Sequence, residues 1–183
     1  IRDRNGRGFW LGTANSADTA VMAAINVLEK GSYLNGGSGN SYYFGGAFTG
    51  SGTMTTALGN AFAYLTGDMT GFQGAFSHTG NSLFTWAFGN NTEAVLNDGK
   101  LFGDGVVLKA DGGTSQFKFS YTNDIILMNA TVGAEGALNA RVEQAGTGTL
   151  VLTQDNSATG TLTITSGTVQ PVSYTHLTLP TTE

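Results

Sequence analysis

The sequence predicts an all-β fold, a fragment of a right-handed parallel β-helix or β-solenoid, and three observations favour it. Gly supplies 28 of the 183 residues and Thr another 26, whereas Gly is usually only ~7% of a chain. Short runs with strand character are separated by Gly, Asn and Asp along most of the sequence. A Gly-Thr-aliphatic motif also recurs near the C-terminal end.

Composition excludes several other classes of protein. The chain has no Cys, so disulfide scaffolds, Cys-ligated zinc sites and thiol chemistry are not expected. Collagen needs Gly at every third position with abundant Pro, and only 2 Pro are present. With 40% hydrophobic and 10% aromatic residues, the chain can bury a core. The net charge is −5 and no basic stripe is present, which predicts no nucleic-acid partner.

The chain divides into three predicted parts. Residues 1–22 are an N-terminal segment without a structural assignment, residues 23–170 are the solenoid region, and residues 171–183 are an artefact of sequencing. The cluster Arg2, Arg4 and Arg7 encloses Asp3 and is typical of a solvated terminus. Because the chain starts at Ile1 and shows no signal-peptide pattern, we interpret it as an internal fragment of a longer protein.

The last residues differ in character from everything before them. Both prolines, Pro171 and Pro180, and one of the two histidines, His176, lie here. Residues 172–181 match, without a gap, the translation of the transposase-end adapter used in tagmentation libraries. We therefore exclude this segment from fold prediction and expect the natural part of this sequence to end near Gln170, with the parent protein continuing beyond that point.

Residues 18–30 fit two structures. Val21, Ala24, Ile25 and Leu28 follow helical spacing, with Asp18 and Gly31 as possible caps. The alternative is a strand through 25–28, and we favour it because the rest of the sequence reads as β-structure.

Ten candidate strands follow from short runs bounded by turn residues. They are 25–28, 41–44, 61–65, 82–88, 106–109, 116–121, 125–128, 138–142, 149–153 and 161–165. Period-2 alternation places Phe84, Trp86 and Phe88 on one face of their strand. The same alternation places Leu150 and Leu152 on one face of their strand, and Leu162 and Ile164 on one face of theirs. Thr residues lie on the opposite faces, which favours strands buried on one side.

The segment 146–170 carries the repeat. Gly-Thr-aliphatic starts occur at Gly148, Gly160 and Gly167, and the distance from the first start to the last is about one solenoid coil. One coil cannot bury its own aliphatic face, so coils must stack about 4.8 Å apart to pair their backbones.

This segment resembles the autotransporter-associated β-strand repeat. Residues 146–152 match its Gly-x-Gly-Thr-Leu-x-Leu opening, Asn156 its Asn, and Ile164 with 167–169 its close. It departs from the repeat at Gln154, at Ala158 and at the single Gly160. Residues 66–76 resemble a coil of large surface β-helix proteins of this kind, and residues 50–54 repeat the Gly-x-Gly-Thr-aliphatic start.

The resemblance implies an exported passenger region whose partner is an outer-membrane translocator barrel outside this fragment. We therefore predict a non-enzymatic fragment of a bacterial surface-exposed or secreted passenger, acting as a rigid stalk or adhesin-type scaffold with possible host or glycan ligands. The alternative is a carbohydrate-active β-helix, either a polysaccharide lyase or hydrolase or a glycan-binding module. An all-β sandwich lectin with antiparallel hairpins is a weaker third hypothesis.

Few residues suggest chemistry, and no catalytic, cofactor or metal site is predicted. We interpret His78 as an exposed turn residue. The carboxylates that could form a glycosidase pair mostly lie beside turn glycines, where Asp bonds its own backbone; they are Asp68, Asp98, Asp104, Asp111 and Asp124. Lys100, Lys109 and Lys118 are the main local cations, few for an acidic polysaccharide.

The aromatic residues could stack on sugars or fill the core. They are Tyr42, Tyr43, Phe44, Phe48, Phe72, Phe76, Phe84, Trp86 and Phe88. Inward rows of a solenoid core are the favoured interpretation, with Trp86 in the core.

Overall fold

A computed structural model describes residues 9–10, 19–29, 31–35, 38–110, 114–127, 131–132, 140–154 and 160–172. Within these ranges the chain forms nineteen strands and no helix, which confirms the all-β prediction. No part of the described chain forms a helix with the length and apolar character that crossing a bilayer requires.

The strands wind in repeated order around the molecule. They are β1 (Phe9–Trp10), β2 (Thr19–Val21), β3 (Ile25–Val27), β4 (Ser32–Asn35), β5 (Ser41–Phe44), β6 (Phe48–Gly50), β7 (Thr53–Thr56), β8 (Ala61–Leu65), β9 (Gly71–Phe72), β10 (Ala75–His78), β11 (Phe84–Thr92), β12 (Val107–Ala110), β13 (Ser115–Tyr121), β14 (Ile125–Leu127), β15 (Thr131–Val132), β16 (Ala140–Gln144), β17 (Thr149–Leu152), β18 (Leu162–Ile164) and β19 (Thr168–Pro171).

Successive strands belong to successive faces of a solenoid. A six-stranded sheet has the order β1-β4-β7-β10-β12-β15, and a seven-stranded sheet has the order β18-β16-β13-β11-β8-β5-β2. Where a described coil has a third strand, that strand joins either β3-β6-β9 or β14-β17-β19. Every pairing between these strands is parallel. The parallel β-solenoid is thereby confirmed, and a sandwich of antiparallel hairpins is wrong.

The register gives the length of each coil. Thr149 pairs with Thr168, so the coil at the repeat has the length that the distance between the Gly-Thr starts predicts. An earlier coil is slightly longer, as the pairing of Ser41 with Phe62 shows. The coil that contains β11 is the longest of the described coils, since Phe84 pairs with a residue as far along the chain as Ser115.

Residues 93–106 account for that extra length. Asn97 and Lys100 form a tight hairpin, whose turn residues Asp98 and Gly99 both have positive φ. Phe102 turns back inward and is buried, with its ring 5.3 Å from that of Phe88. The insertion therefore leaves the solenoid wall and then fills part of its core.

The core is a column of aromatic rings that runs from coil to coil. Phe48 contacts Phe72 at 6.3 Å and Phe76 at 6.1 Å between ring centroids. Phe76 in turn lies 5.0 Å from Trp86, which is buried as the alternation predicts. Burial of such rings supplies the largest hydrophobic contribution of any side-chain class.

The structure decides the open question at residues 18–30 in favour of strands. Thr19–Val21 and Ile25–Val27 are both strands, so the helical alternative is wrong. Ile25 and Val27 are buried while Asn26 is exposed, which is the period of a strand buried on one side.

The other predicted strands are found with small shifts, although the sequence prediction misses several short ones. Ranges 41–44 and 61–65 are reproduced, whereas the strand predicted at 82–88 begins at Phe84 and continues to Thr92. Met128 and residues 138–139 lie outside the described residues. The missed strands are β1, β2, β4, β6, β7, β9, β10, β15 and β19; none of them is longer than four residues.

Some strands, β11 and β18 among them, depart from one-sided burial. In β11, Thr85 and Ala87 are buried as well as the aromatic face, and their register neighbours on β8 and β13 all have longer side chains. Leu162 is only partly buried and Ile164 is 54% exposed, whereas Leu150 and Leu152 are buried. The strand β18 is the edge of the seven-stranded sheet, so its side chains have a neighbour on one side only.

Glycines stand in columns where coils turn, because backbone lies directly on backbone there. A Cβ on Gly52 would overlap the carbonyl of Leu28, and one on Gly74 would overlap the carbonyl of Gly52. At the repeat, a Cβ on Gly148 would overlap the carbonyl of Asn123, while Gly148 accepts a hydrogen bond from Thr168 N at 3.2 Å. The Gly of each Gly-Thr start is therefore required by close stacking.

We expect Gly148→Ala to lower the free energy of unfolding by about 3 kcal/mol, because the added methyl forces two coils apart. Gly105→Ala is the control, since Gly105 has positive φ but open space around its Cβ. It should cost only about 1 kcal/mol from backbone strain. Urea unfolding of both variants measures the difference, and equal losses would contradict stacking as the cause.

The prediction for His78 is wrong. The residue is fully buried on β10, which pairs with β7 and β12 on either side. Its Nε2 donates a hydrogen bond to the Leu58 carbonyl at 2.9 Å, and its ring stacks on Phe84 at 5.6 Å. Because turn residues lie on both sides of this short strand, the sequence does not indicate that residues 75–78 form β-structure.

Burial lowers the pKa of His78, against the opposing effect of hydrogen bonds to the backbone of Leu58 and Thr114. Below about pH 6.5 the unfolded chain takes up a proton at this position before the folded chain does. The stability contributed by the neutral ring is therefore complete above that pH and is lost as the pH falls.

We expect stability to fall more steeply below about pH 6.5 in the wild type than in His78→Gln, by at most about 1.4 kcal/mol per pH unit. Gln retains a donor for the Leu58 carbonyl and does not titrate. Urea unfolding at a series of pH values on both sides of that point tests this, and parallel pH profiles would refute the assignment.

Candidate functional site

A groove on the outer face of the seven-stranded sheet is the candidate site. Its volume is about 390 Å³, and its lining comprises Tyr64, Ala87, Gly89, Asn90, Asn91, Lys118, Ser120, Ala145 and Thr165. These residues lie on or directly after β8, β11, β13, β16 and β18, which are successive strands of one sheet. The groove therefore crosses five coils along the solenoid axis.

A bulge in β11 forms one wall of the groove. Phe88 pairs with Phe119 and Thr92 with Tyr121, so four steps on β11 correspond to two steps on β13. The extra residues include Gly89 and Asn91, which have φ of +78° and +52°. Asn90 and Asn91 are exposed, and their amides are brought to the groove by the bulge, a common feature next to functional sites.

An aromatic ring forms the opposite end. Tyr43 and Tyr64 are register partners on β5 and β8, and their rings stack at 4.8 Å with 8° between planes. The next strand carries Ala87 opposite Tyr64. Tyr64 therefore lines the groove while Tyr43 stacks on its ring.

A polar network borders the groove beyond Ala87. Lys118 Nζ lies 2.8 Å from Glu143 Oε1, with 35% and 14% of the two side chains exposed. Thr165 Oγ1 donates to the same carboxylate oxygen at 3.3 Å, and Gln116 donates to the second oxygen. The ammonium group in the groove is therefore balanced by a carboxylate that donors hold in place.

The carboxylates named in the sequence have local roles in the part of the chain that the structure describes. Asp68 Oδ1 accepts from the backbone N and the hydroxyl of Thr70, both at 2.8 Å. Asp124 Oδ1 accepts from Thr149 N on the next coil at 2.7 Å, and Asp104 pairs with Lys100 at 3.2 Å.

Asp98 lies in the hairpin turn at positive φ, and Asp111 lies outside the described residues. Asp68 and Asp98 therefore have the turn roles that the sequence predicts, whereas Asp104 forms an ion pair and Asp124 bonds the next coil. None of these four carboxylates lines the groove.

The aromatic residues divide between inside and outside. Eight of the nine are buried as predicted: Tyr42, Phe44, Phe48, Phe72, Phe76, Phe84, Trp86 and Phe88. Tyr43 is the exception at 38% exposed. It extends an outer aromatic row with Tyr64 and Phe62, whose rings lie 5.9 Å apart.

Sequence reasoning missed most of the groove. Tyr64, Asn90 and Asn91 carried no motif, and Lys118 was considered only as a charge. The usable signal was the string Phe-Gly-Asn-Asn at 88–91, since Gly and Asn at the end of a strand indicate a bulge or turn. Among the described residues no group of three His, Cys, Asp or Glu could hold a metal ion.

Residues 142–170 match the family model of the passenger-associated-transport-repeat. The match covers the last coils, from β16 to β19, and coincides with the segment that resembles the autotransporter-associated β-strand repeat. No curated protein and no solved structure matches the chain. The repeat and the stacked parallel coils together fit an autotransporter passenger repeat protein.

We expect Asp68→Ala to reduce the free energy of unfolding by about 1 to 2 kcal/mol, because the Thr70 N–H loses its charged acceptor. Asp68→Asn should recover most of that loss, since its amide oxygen can still accept. Thermal unfolding of the two variants distinguishes them. A carboxylate required for its charge alone would instead leave Asn as damaging as Ala.

Proposed function

We propose that the chain is part of a bacterial autotransporter passenger and acts as a rigid, non-enzymatic stalk or adhesin-type scaffold on the cell surface. The observation that carries the proposal is the coincidence of the repeat match at 142–170 with coils that stack in register in the structure. A repeat unit identified by sequence is thus also a stacking unit of the fold.

Stacked coils supply the rigidity that a stalk needs. Each coil pairs its backbone with the coils before and after it, and the aromatic core is continuous between coils. Stability of such a solenoid grows with the number of coil interfaces. Zero Cys also suits a chain that crosses an oxidising periplasm unfolded.

The proposed partner for export is an outer-membrane translocator barrel, and the proposed location is the cell surface or the extracellular space. The repeat family implies export. Folding outside the cell by stacking one coil on the last requires no partner other than the previous coil, because each interface is local.

A structural role is favoured over hydrolysis by the roles of the carboxylates. A glycosidase needs two carboxyl groups about 5 to 9.5 Å apart across the sugar, and the described residues that line the groove include neither Asp nor Glu. Glu143 lies behind Lys118 and is engaged by three donors.

Display on cells tests the proposal. Residues 1–170, placed between an export signal and a translocator barrel, should reach the surface of intact cells and resist added protease. Gly148→Ala should lower the protease-resistant fraction, since it weakens coil stacking, while Gly105→Ala should lower it much less. Retention of the wild-type fusion in the periplasm would contradict the proposal.

An activity screen tests the non-enzymatic role. We expect no release of reducing ends or unsaturated uronates from soluble polysaccharides incubated with the chain. Turnover that disappears in Asp124→Asn, with the fold preserved, would instead favour a carbohydrate-active enzyme.

A further inference from the structure

We propose that the groove beside Tyr64 binds an extended, neutral glycan chain. This inference goes beyond the scaffold role and does not depend on it, because it rests on the geometry of the groove alone.

The shape of the groove selects a narrow, elongated ligand. It crosses five neighbouring strands, and four steps of ~4.8 Å give a length of ~19 Å. With a volume of about 390 Å³ over that length, it fits a single extended chain better than a compact molecule. The volume is within the range of small-ligand sites, ~300 to 1,000 Å³.

The lining chemistry matches a sugar. Tyr64 lines the groove next to Ala87, and the apolar face of a pyranose can pack against an aromatic side chain of this kind. The amides of Asn90 and Asn91 each present donors and an acceptor, and the Ser120 hydroxyl can act as both. The Thr165 hydroxyl, whose proton goes to Glu143, can accept. Hydroxyl-rich ligands need such mixed partners, whereas an apolar ligand would leave these groups unpaired.

The charge of the groove favours a neutral ligand. The cation that lines it, Lys118, is already paired with Glu143 at 2.8 Å, and the whole chain is net negative. A polyanion would have to displace that carboxylate and would gain no bidentate Arg contact. A neutral chain leaves the ion pair intact.

The position of the groove disfavours an added peptide strand. The strands beneath it, β8, β11, β13 and β16, each have neighbours on both sides in the sheet, so their ladder groups are already paired. Strand addition requires a free sheet edge. The side chains, and not the backbone, must therefore make the contacts.

Titration calorimetry with neutral hexasaccharides (cellohexaose, maltohexaose and xylohexaose) and with acidic hexagalacturonate tests the proposal on the full chain. We expect at least one neutral hexasaccharide to bind more tightly than hexagalacturonate. Tyr64→Ala should weaken that binding at least about fivefold, since aromatic contacts of this kind contribute ~1 kcal/mol.

Two control variants, each matched to a variant in the groove, distinguish the loss of a groove contact from general effects of substitution. Tyr33→Ala alters an exposed Tyr, 48% accessible, on the six-stranded sheet and should leave affinity within twofold. Asn91→Gly and Asn60→Gly both change an exposed Asn with φ of +52°, where Gly adopts the same backbone without strain. Only Asn91→Gly should weaken binding, by about fivefold for a lost hydrogen-bonding group.

Circular dichroism and thermal unfolding identify any variant that fails to fold. If Tyr64→Ala fails to fold, Asn91→Gly still tests the proposal. The proposal is overturned by the absence of binding to all three neutral hexasaccharides. It is equally overturned by tighter binding of hexagalacturonate, or by affinities that Tyr64→Ala and Asn91→Gly leave unchanged.

Discussion

The close contact of backbone with backbone at the corners of successive coils is the constraint on which the structure depends. Parallel strands pair at full length only if the turns between them also superimpose, and any Cβ at Gly52, Gly74 or Gly148 would hold the coils apart. Once the corners stack, the backbone ladders and the aromatic column come into register together. Close stacking therefore explains the Gly at these corners, whereas others such as Gly105 have positive φ and open space around the Cβ.

The insertion after β11 shows that the solenoid accommodates extra residues in one coil without losing its core. The coil that holds residues 93–106 is longer than its neighbours, yet Phe102 returns to the core and contacts both Phe76 and Phe88. The same strand also carries the bulge that forms the groove wall. β8 and β13 pair with β11 on both sides up to Phe88, and the bulge that follows exposes Asn90 and Asn91. Irregularity in one coil thus creates a concave surface without interrupting the core.

The sequence predicted the fold class, the length of the repeat coil and the inward aromatic rows, because alternation and glycine spacing report directly on stacking. It did not reveal that His78 is buried, since β10 is a short strand between turn residues and its pairing partners are distant in sequence. The sequence did not predict the groove for a similar reason. Tyr64, Ala87 and Lys118 are also distant in sequence and become neighbours only through the register of three strands, which no local pattern encodes.

Inward and outward side chains of the solenoid are constrained by different contacts. A scaffold of this kind can therefore carry a binding site on its outer face at little energetic cost. Inward positions such as Trp86 and Phe88 are locked by the rings around them, and corner glycines are locked by the next coil. Outward positions such as Tyr64, Ala87 and Lys118 contact mainly their register neighbours on the adjacent coils. An exposed side chain in an outward row, such as Tyr43, can therefore change size or polarity without moving the ladder beneath it. The rigid ladder then holds the ring of Tyr64, the Asn amides of the bulge and the Lys118–Glu143 pair at fixed spacings.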